Sequence, residues 1–238
     1  MGIWIIAALV AYFIKGISGF ANTLVLTSIL SFGTSNVHIS PVDLVLGFPA
    51  NLILFIKNRK NVRWRMVLPL ALLVIVGTLP GAFVLKYVNA QYVKIAFGVL
   101  VILVALEMLL RNAGKLKLKE SKTFLLVIGL LSGIICGMFG VGALLAAYIG
   151  RFAKSSDDFK GNISAIFMME NIFRIITYSV MGIITLASLK QALMMVPFML
   201  AGLWFGIFCG SKLNDKVVMK IVVALLIFSG VALIAMNL

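Results

Sequence analysis

The residues of this chain best suited to chemistry within apolar sequence are few. Lys15, Glu170 and Arg174 carry charge, and Ser18, Asn22, Thr23, Asn51 and Asn171 carry hydrogen-bonding groups. A charge at the centre of a membrane helix costs about 2.5 to 3.5 kcal/mol on insertion scales, so each of the three needs a role. Glu170 and Arg174 stand four apart in the acid-first order that favours pairing on a helix. They form either a self-neutralising structural pair or a substrate-binding arginine beside a proton-carrying glutamate. Lys15 either neutralises a bound anion or caps a helix end. Asn51 and Asn171 either bond between helices, at about 0.6 kcal/mol each, or act as a matched pair in a site. His38 and Asp43 fall in or beside a short loop and are expected to have no role in a site. Asp157 and Asp158 read as a solvated loop, and Glu107 as reaching water near a helix end.

No His or Cys cluster, no suitably spaced carboxylate pair and no nucleotide motif accompanies these groups. Gly137-x-x-Gly140-x-Gly142 has the wrong order for the dinucleotide fingerprint. Cys136 and Cys209 lie in apolar runs and read as small hydrophobes. The expectation is therefore a protein that is not an enzyme and carries no cofactor and no metal.

Two apolar stretches that must position these groups are broken by glycine: Lys15 to Thr27, KGISGFANTLVLT, and Gly133 to Arg151, GIICGMFGVGALLAAYIGR. A break at membrane depth leaves backbone N–H and C=O groups unpaired, which hydrocarbon tolerates only where the backbone is buried in protein or lines a watery cavity. Gly19, Gly137, Gly140 and Gly142 are accordingly candidate substrate contacts. Gly77, Gly81, Gly202 and Gly206 are better explained as close-packing positions between helices.

Composition fixes the class around them. Hydrophobic residues make up 63% of 238 and charged residues 12%, and mean hydropathy is +1.17. Too little polar sequence remains to cover a soluble surface, so the expected class is an all-α polytopic membrane protein. The net charge of +14 belongs mostly to loops and does not point to nucleic acid. The first apolar run lacks a basic leader and a small-residue cleavage site, so no cleaved signal peptide is expected.

Half-length helices are expected at 3–14 and 22–33, followed by full apolar segments at 42–56, 66–86 and 91–110. The order recurs as half-length pieces at 123–136 and 141–151 and full segments at 160–182, 190–210 and 217–236. Gly16-x-x-Gly19 is echoed by Gly137-x-x-Gly140, and Asn51 by Asn171. Gly77-x-x-x-Gly81 with Asn89 is echoed by Gly202-x-x-x-Gly206 with Asn214. The expected organisation is a first repeat over 1–111, a basic cytoplasmic linker over 112–122 and a second repeat over 123–238.

Loop charge sets the orientation. If every segment crossed the bilayer, the loop Lys and Arg residues would divide 11 to 8. If each broken segment enters and leaves on one face, only Lys86, Lys94 and Lys190 lie outside and the division is 16 to 3. The second arrangement obeys the positive-inside rule. It makes the repeats inverted, each a re-entrant hairpin plus three spanning helices, an architecture found in secondary transporters.

Such breaks favour an anion. A half-helix of about 12 residues is about 18 Å long, so its buried end lies near the middle of a core of about 30 Å. If Asn22 and Val141 begin the second half-helices, their free N–H groups and positive dipole ends face the site. Ser18, Asn22 and Thr23 would add donors.

The segments GISGFANTLVL, KNRKNVRWR, LPLALLVIVGTLPGAFVL and GIICGMFGVGALL, in this order, resemble the TauE/SafE family of exporters for sulfite and small organosulfur anions. The resemblance covers nearly the whole chain and implies a multi-pass permease of the plasma membrane built from two related halves. It implies a substrate-binding role for Gly137, Gly140 and Gly142 more directly than for Gly16 and Gly19, because the family's glycine-rich run is here SGFAN in the first break and GMFGVG in the second. The expected function is export of sulfite, a sulfonate or a related anion, with Glu170 the candidate for proton coupling. An anion channel or a non-transporting scaffold subunit are the alternatives. Expected partners are a small anion and the lipid bilayer, with a homo-oligomer compatible and nucleic acid excluded.

Overall fold

The computed structural model describes residues 2–112 and 122–210, and beyond them residues 223, 224, 227, 228, 230, 231, 234 and 235. The described residues are helical and include no strand. The basic linker and most of the last expected segment lie outside them.

The first half holds α1 (Gly2–Ser18), α2 (Asn22–Leu30), α3 (Asn36–Asn58), α4 (Trp64–Tyr87) and α5 (Ala90–Asn112). The second holds α6 (Lys122–Phe139), α7 (Ala143–Phe152), α8 (Ser156–Val180) and α9 (Leu186–Cys209). Four of these, α3 with the turn after it, α4, α8 and α9, are long and apolar enough to span a bilayer. Exposed Leu72, Val76, Phe83, Leu193, Trp204 and Phe205 on α4 and α9 suit a lipid-facing surface.

Helix α3 begins six residues earlier than expected, at Asn36 rather than 42, because the polar run around His38 and Asp43 is helical. The expected outer loop is thereby shortened, and Asp43 is buried in a helix. Asp158 also departs from expectation. It is buried, pairs with Arg63, and accepts from the Lys154 N–H and the Asn162 amide, tying the loop before α4 to the start of α8.

Three interfaces dominate the packing. The principal partner of α4 is α6 and that of α1 is α9, while α3 packs on α8. Exchanging the halves converts the first interface into the second and leaves the third unchanged. Small residues permit both approaches: a Cβ on Gly77 or Gly81 would meet backbone of α6 at 2.4 or 2.2 Å, and one on Gly202 or Gly206 would meet backbone of α1 at 2.5 or 2.2 Å.

Candidate functional site

Both breaks are present, and they share one backbone device. Gly19 and Gly140 have φ of +83° and +74°, and their N–H groups bond back to the carbonyls of Lys15 and Cys136, each at 2.7 Å. A left-handed residue at this point ends the helix and turns the chain, which glycine does without steric cost. Ala21 follows in the first break at φ +64°, a conformation costly for a residue with a Cβ.

The helices that start after the breaks have no side-chain cap, which is also true of α3 and α4 but not of α8 and α9. Ser155 and Thr185 cap α8 and α9 by accepting from Asp158 and Ser188 N–H groups. Neither Ala21 before α2 nor Gly142 before α7 supplies a side-chain cap. The first N–H groups of a helix have no intrahelical partner and carry the positive end of its dipole. Asn22 opens α2 as expected, whereas α7 opens at Ala143, two residues after the expected Val141.

These ends border a small cavity, with about 20 Å³ open to the centres of water-sized molecules. One water needs about 10–15 Å³ on that measure, so a larger ligand must widen it. Its walls are Lys15 of α1, Phe20 and Ala21 at the first break, Asn22 to Leu24 of α2, Asp43, Gly47 and Asn51 of α3, Gly140 to Gly142 at the second break, and Phe167, Asn171 and Arg174 of α8. Of the residues expected from sequence, Lys15, Asn22, Thr23, Asn51, Gly140, Gly142, Asn171 and Arg174 therefore meet in one place.

Lys15 is 1% exposed and donates to Asn22 Oδ1 at 2.9 Å, with Nζ 5.8 Å from the centre of the Phe167 ring. Asn22 Nδ2 donates to Asp43 Oδ1 at 3.1 Å, Thr23 Oγ1 donates to Asp43 Oδ2 at 2.5 Å, and the Tyr12 hydroxyl reaches Asp43 Oδ1 at 3.2 Å. Asp43 is thus a buried carboxylate gathering three donors, at the end of a chain that begins at the Lys15 ammonium.

Arg174 faces the second break and is more fully engaged. Its Nη1 donates to the Cys136 carbonyl at 2.5 Å, Nη2 to Asn171 Oδ1 at 3.4 Å, and Nε lies 3.3 Å from Glu170 Oε1. The structural pairing expected for Glu170 and Arg174 is present. Tyr178 donates to the Gly137 carbonyl at 2.6 Å, so α8 holds the last carbonyls of α6 at two points.

The other expected contacts lie elsewhere. Ser18 bonds locally to the Ile14 and Phe20 carbonyls, and Gly19 packs against Lys160. Gly137 sits in α6 against Thr78 of α4, a packing position like its neighbours on that interface. Glu170 touches the cavity only through Arg174. Sequence reasoning missed Asp43, Gly47 and Phe167. Gly47 and Asn51 fall four and eight residues after Asp43, a helical stripe that was a readable signal once α3 was known to start early. Phe167 explains Gly142, whose Cβ would fall 2.1 Å from that ring.

A wider groove of about 620 Å³ at Arg63, Trp64, Arg65, Leu125, Tyr148 and Phe152 contains none of the expected site residues.

The family model for the sulfite exporter TauE/SafE family matches residues 4–233. The chain belongs to this family. It is a multi-pass membrane protein of a transporter family, and the match spans both breaks and both sets of long helices. No curated protein and no solved structure matches it.

Proposed function

We propose that this TauE/SafE family member is a carrier that exports a small oxyanion, with sulfite or a short sulfonate the leading candidates. The observation that carries the reading is the meeting of two uncapped helix N-termini with the Lys15 ammonium around one cavity. Backbone N–H groups and a buried cation suit a compact anion whose oxygens accept several bonds at once. Lys15 is the counter-charge, since Asn22 accounts for one of its three protons. Asn51 and Asn171 flank the ligand, and the backbone of Gly140 to Gly142 borders it. The small volume of the cavity favours a carrier that opens in turn to each side over a standing channel.

In this reading the halves, 1–111 and 123–238, are inverted repeats meeting at the bilayer midplane, with the 112–122 linker and the other basic loops in the cytoplasm. The exchange of α4–α6 packing for α1–α9 packing supports a two-fold relation between them. Export has a physical motive. Before any coupling ion is counted, an inside-negative potential contributes about 2.3 kcal/mol per charge per 100 mV, roughly a fifty-fold outward gradient for a monoanion.

Counterflow in proteoliposomes tests the proposal: labelled sulfite is exchanged against sulfite, sulfoacetate, thiosulfate, sulfate, short carboxylates and chloride. Saturable exchange confined to sulfur oxyanions, lost in Gly140→Leu, is the expected result. Absence of exchange with any anion by folded protein sinks it.

A further inference from the structure

The carrier reading leaves unexplained why a buried carboxylate stands beside an anion site. Asp43 is 2% exposed and lines the same cavity as Lys15. It also takes the donors that a substrate would want: Thr23 Oγ1 at the start of α2, the Asn22 amide and the Tyr12 hydroxyl. An anion and an ionised Asp43 would compete for those groups and repel each other across a cavity of water size.

Charge counting points the same way. The ionisable groups around Asp43 are Tyr12 and Lys15 on α1 and, across the cavity, Arg174 with Glu170 on α8; α2 contributes only amide and hydroxyl groups. Arg174 and Glu170 neutralise each other, and Lys15 balances Asp43 through Asn22. The empty site is therefore neutral. A monoanion would leave it one negative charge in excess, in surroundings too apolar to screen it.

We infer that Asp43 is the coupling group of this carrier: it binds a proton as the anion binds, and the two cross together, so that a monoanion moves without net charge and its own outward gradient, not the membrane potential, drives export. The inference rests on the anion-carrier reading. The proton comes from a hydronium ion on the aqueous side to which the site is open: one O–H bond of the hydronium breaks, leaving water, as one forms on an Asp43 carboxyl oxygen, and no other covalent bond changes. The protonated carboxyl no longer needs its donors, so the Thr23 hydroxyl and the Asn22 amide become free to turn to the substrate. Asp43 thus stands in for the anion in the empty site. Sodium is the alternative coupling ion, since the carboxylate and the two hydroxyl oxygens could also turn lone pairs to a cation, and the test below separates it from a proton.

The test uses ethanesulfonate, a strong-acid anion whose own charge does not change with pH. In proteoliposomes carrying a lumenal pH dye, an inward ethanesulfonate gradient is expected to acidify the lumen by one proton per anion. Replacing sodium with choline is expected to change nothing. Binding to the purified wild-type protein should weaken as pH rises, the sign expected when the complex takes up a proton. Asp43→Asn should carry the anion without protons and lose the pH dependence. Anion movement without protons in the wild type, dependence on sodium, or loss of coupling in Glu170→Gln but not in Asp43→Asn each overturns the inference while leaving the carrier intact. Failure of any tested anion to move overturns the carrier reading and this inference with it. The wild-type stoichiometry decides the matter even if Asp43→Asn does not fold.

Discussion

The two breaks have one backbone and two chemistries. Gly19 and Gly140 turn the chain with nearly the same φ and the same hydrogen bond, yet the residue four positions earlier is Lys15 in one and Cys136 in the other. At the first break the charge belongs to the broken segment itself and reaches the cavity through a Lys15–Asn22–Asp43 chain. At the second, the charge arrives from outside: Arg174 of α8 is held by the Cys136 carbonyl, Asn171 and Glu170. On the proposed reading both helix starts face the anion, but Lys15 keeps protons for it while Arg174 is already held by its neighbours, so one side of the site is freer than the other, as a carrier needs if one side is to move relative to the other.

The harshest way to break the comparison is at Gly140. A Cβ there would sit 2.8 Å from Arg174 Nη1 in a left-handed conformation. Strain and clash together of about 3 kcal/mol predict that Gly140→Leu lowers counterflow at least about a hundredfold. Arg174→Gln comes next. Leaving Glu170 buried without its partner should cost about 3–5 kcal/mol, read as a lower unfolding temperature in detergent, whereas affinity in the folded fraction changes little. A large loss of affinity at unchanged stability would instead make Arg174 a ligand and the two breaks alike. Lys15→Met should do the opposite, weakening anion affinity about 10- to 100-fold, as expected for a charge-assisted bond of about 1.5–3 kcal/mol. The smallest effect is expected from Ala21→Gly, which relieves the left-handed Ala at φ +64° and should stabilise the fold by about 0.5 kcal/mol. Destabilisation there would mean that the Ala21 methyl packs more productively than the turn is strained.

Much of this frame can be read from residue patterns alone. The two breaks and the start of α2 at Asn22 follow from glycine spacing within apolar runs, because backbone polarity in a membrane leaves few alternatives. What the pattern cannot separate is a glycine that turns the chain from one that admits a neighbouring helix. Gly16 and Gly137 look like part of the breaks and prove to be packing positions against α9 and α4. Asp43 was illegible for a different reason. Hydropathy averages over a window, so a polar run that buries one face reads as a loop, and only the tertiary partners Tyr12, Asn22 and Thr23 reveal that face. Asp158 illustrates the same limit, since its partner Arg63 is 95 residues away.

The central claim is that the anion sits between the starts of α2 and α7, against Lys15. Selenite, the heavier analogue of sulfite, makes that directly visible: crystals grown with it can be measured at the selenium absorption edge. The account predicts an anomalous peak within hydrogen-bonding distance of Lys15 Nζ and the first N–H groups of α2. A peak at the basic groove of Arg63 and Arg65, with none between the breaks, would contradict it.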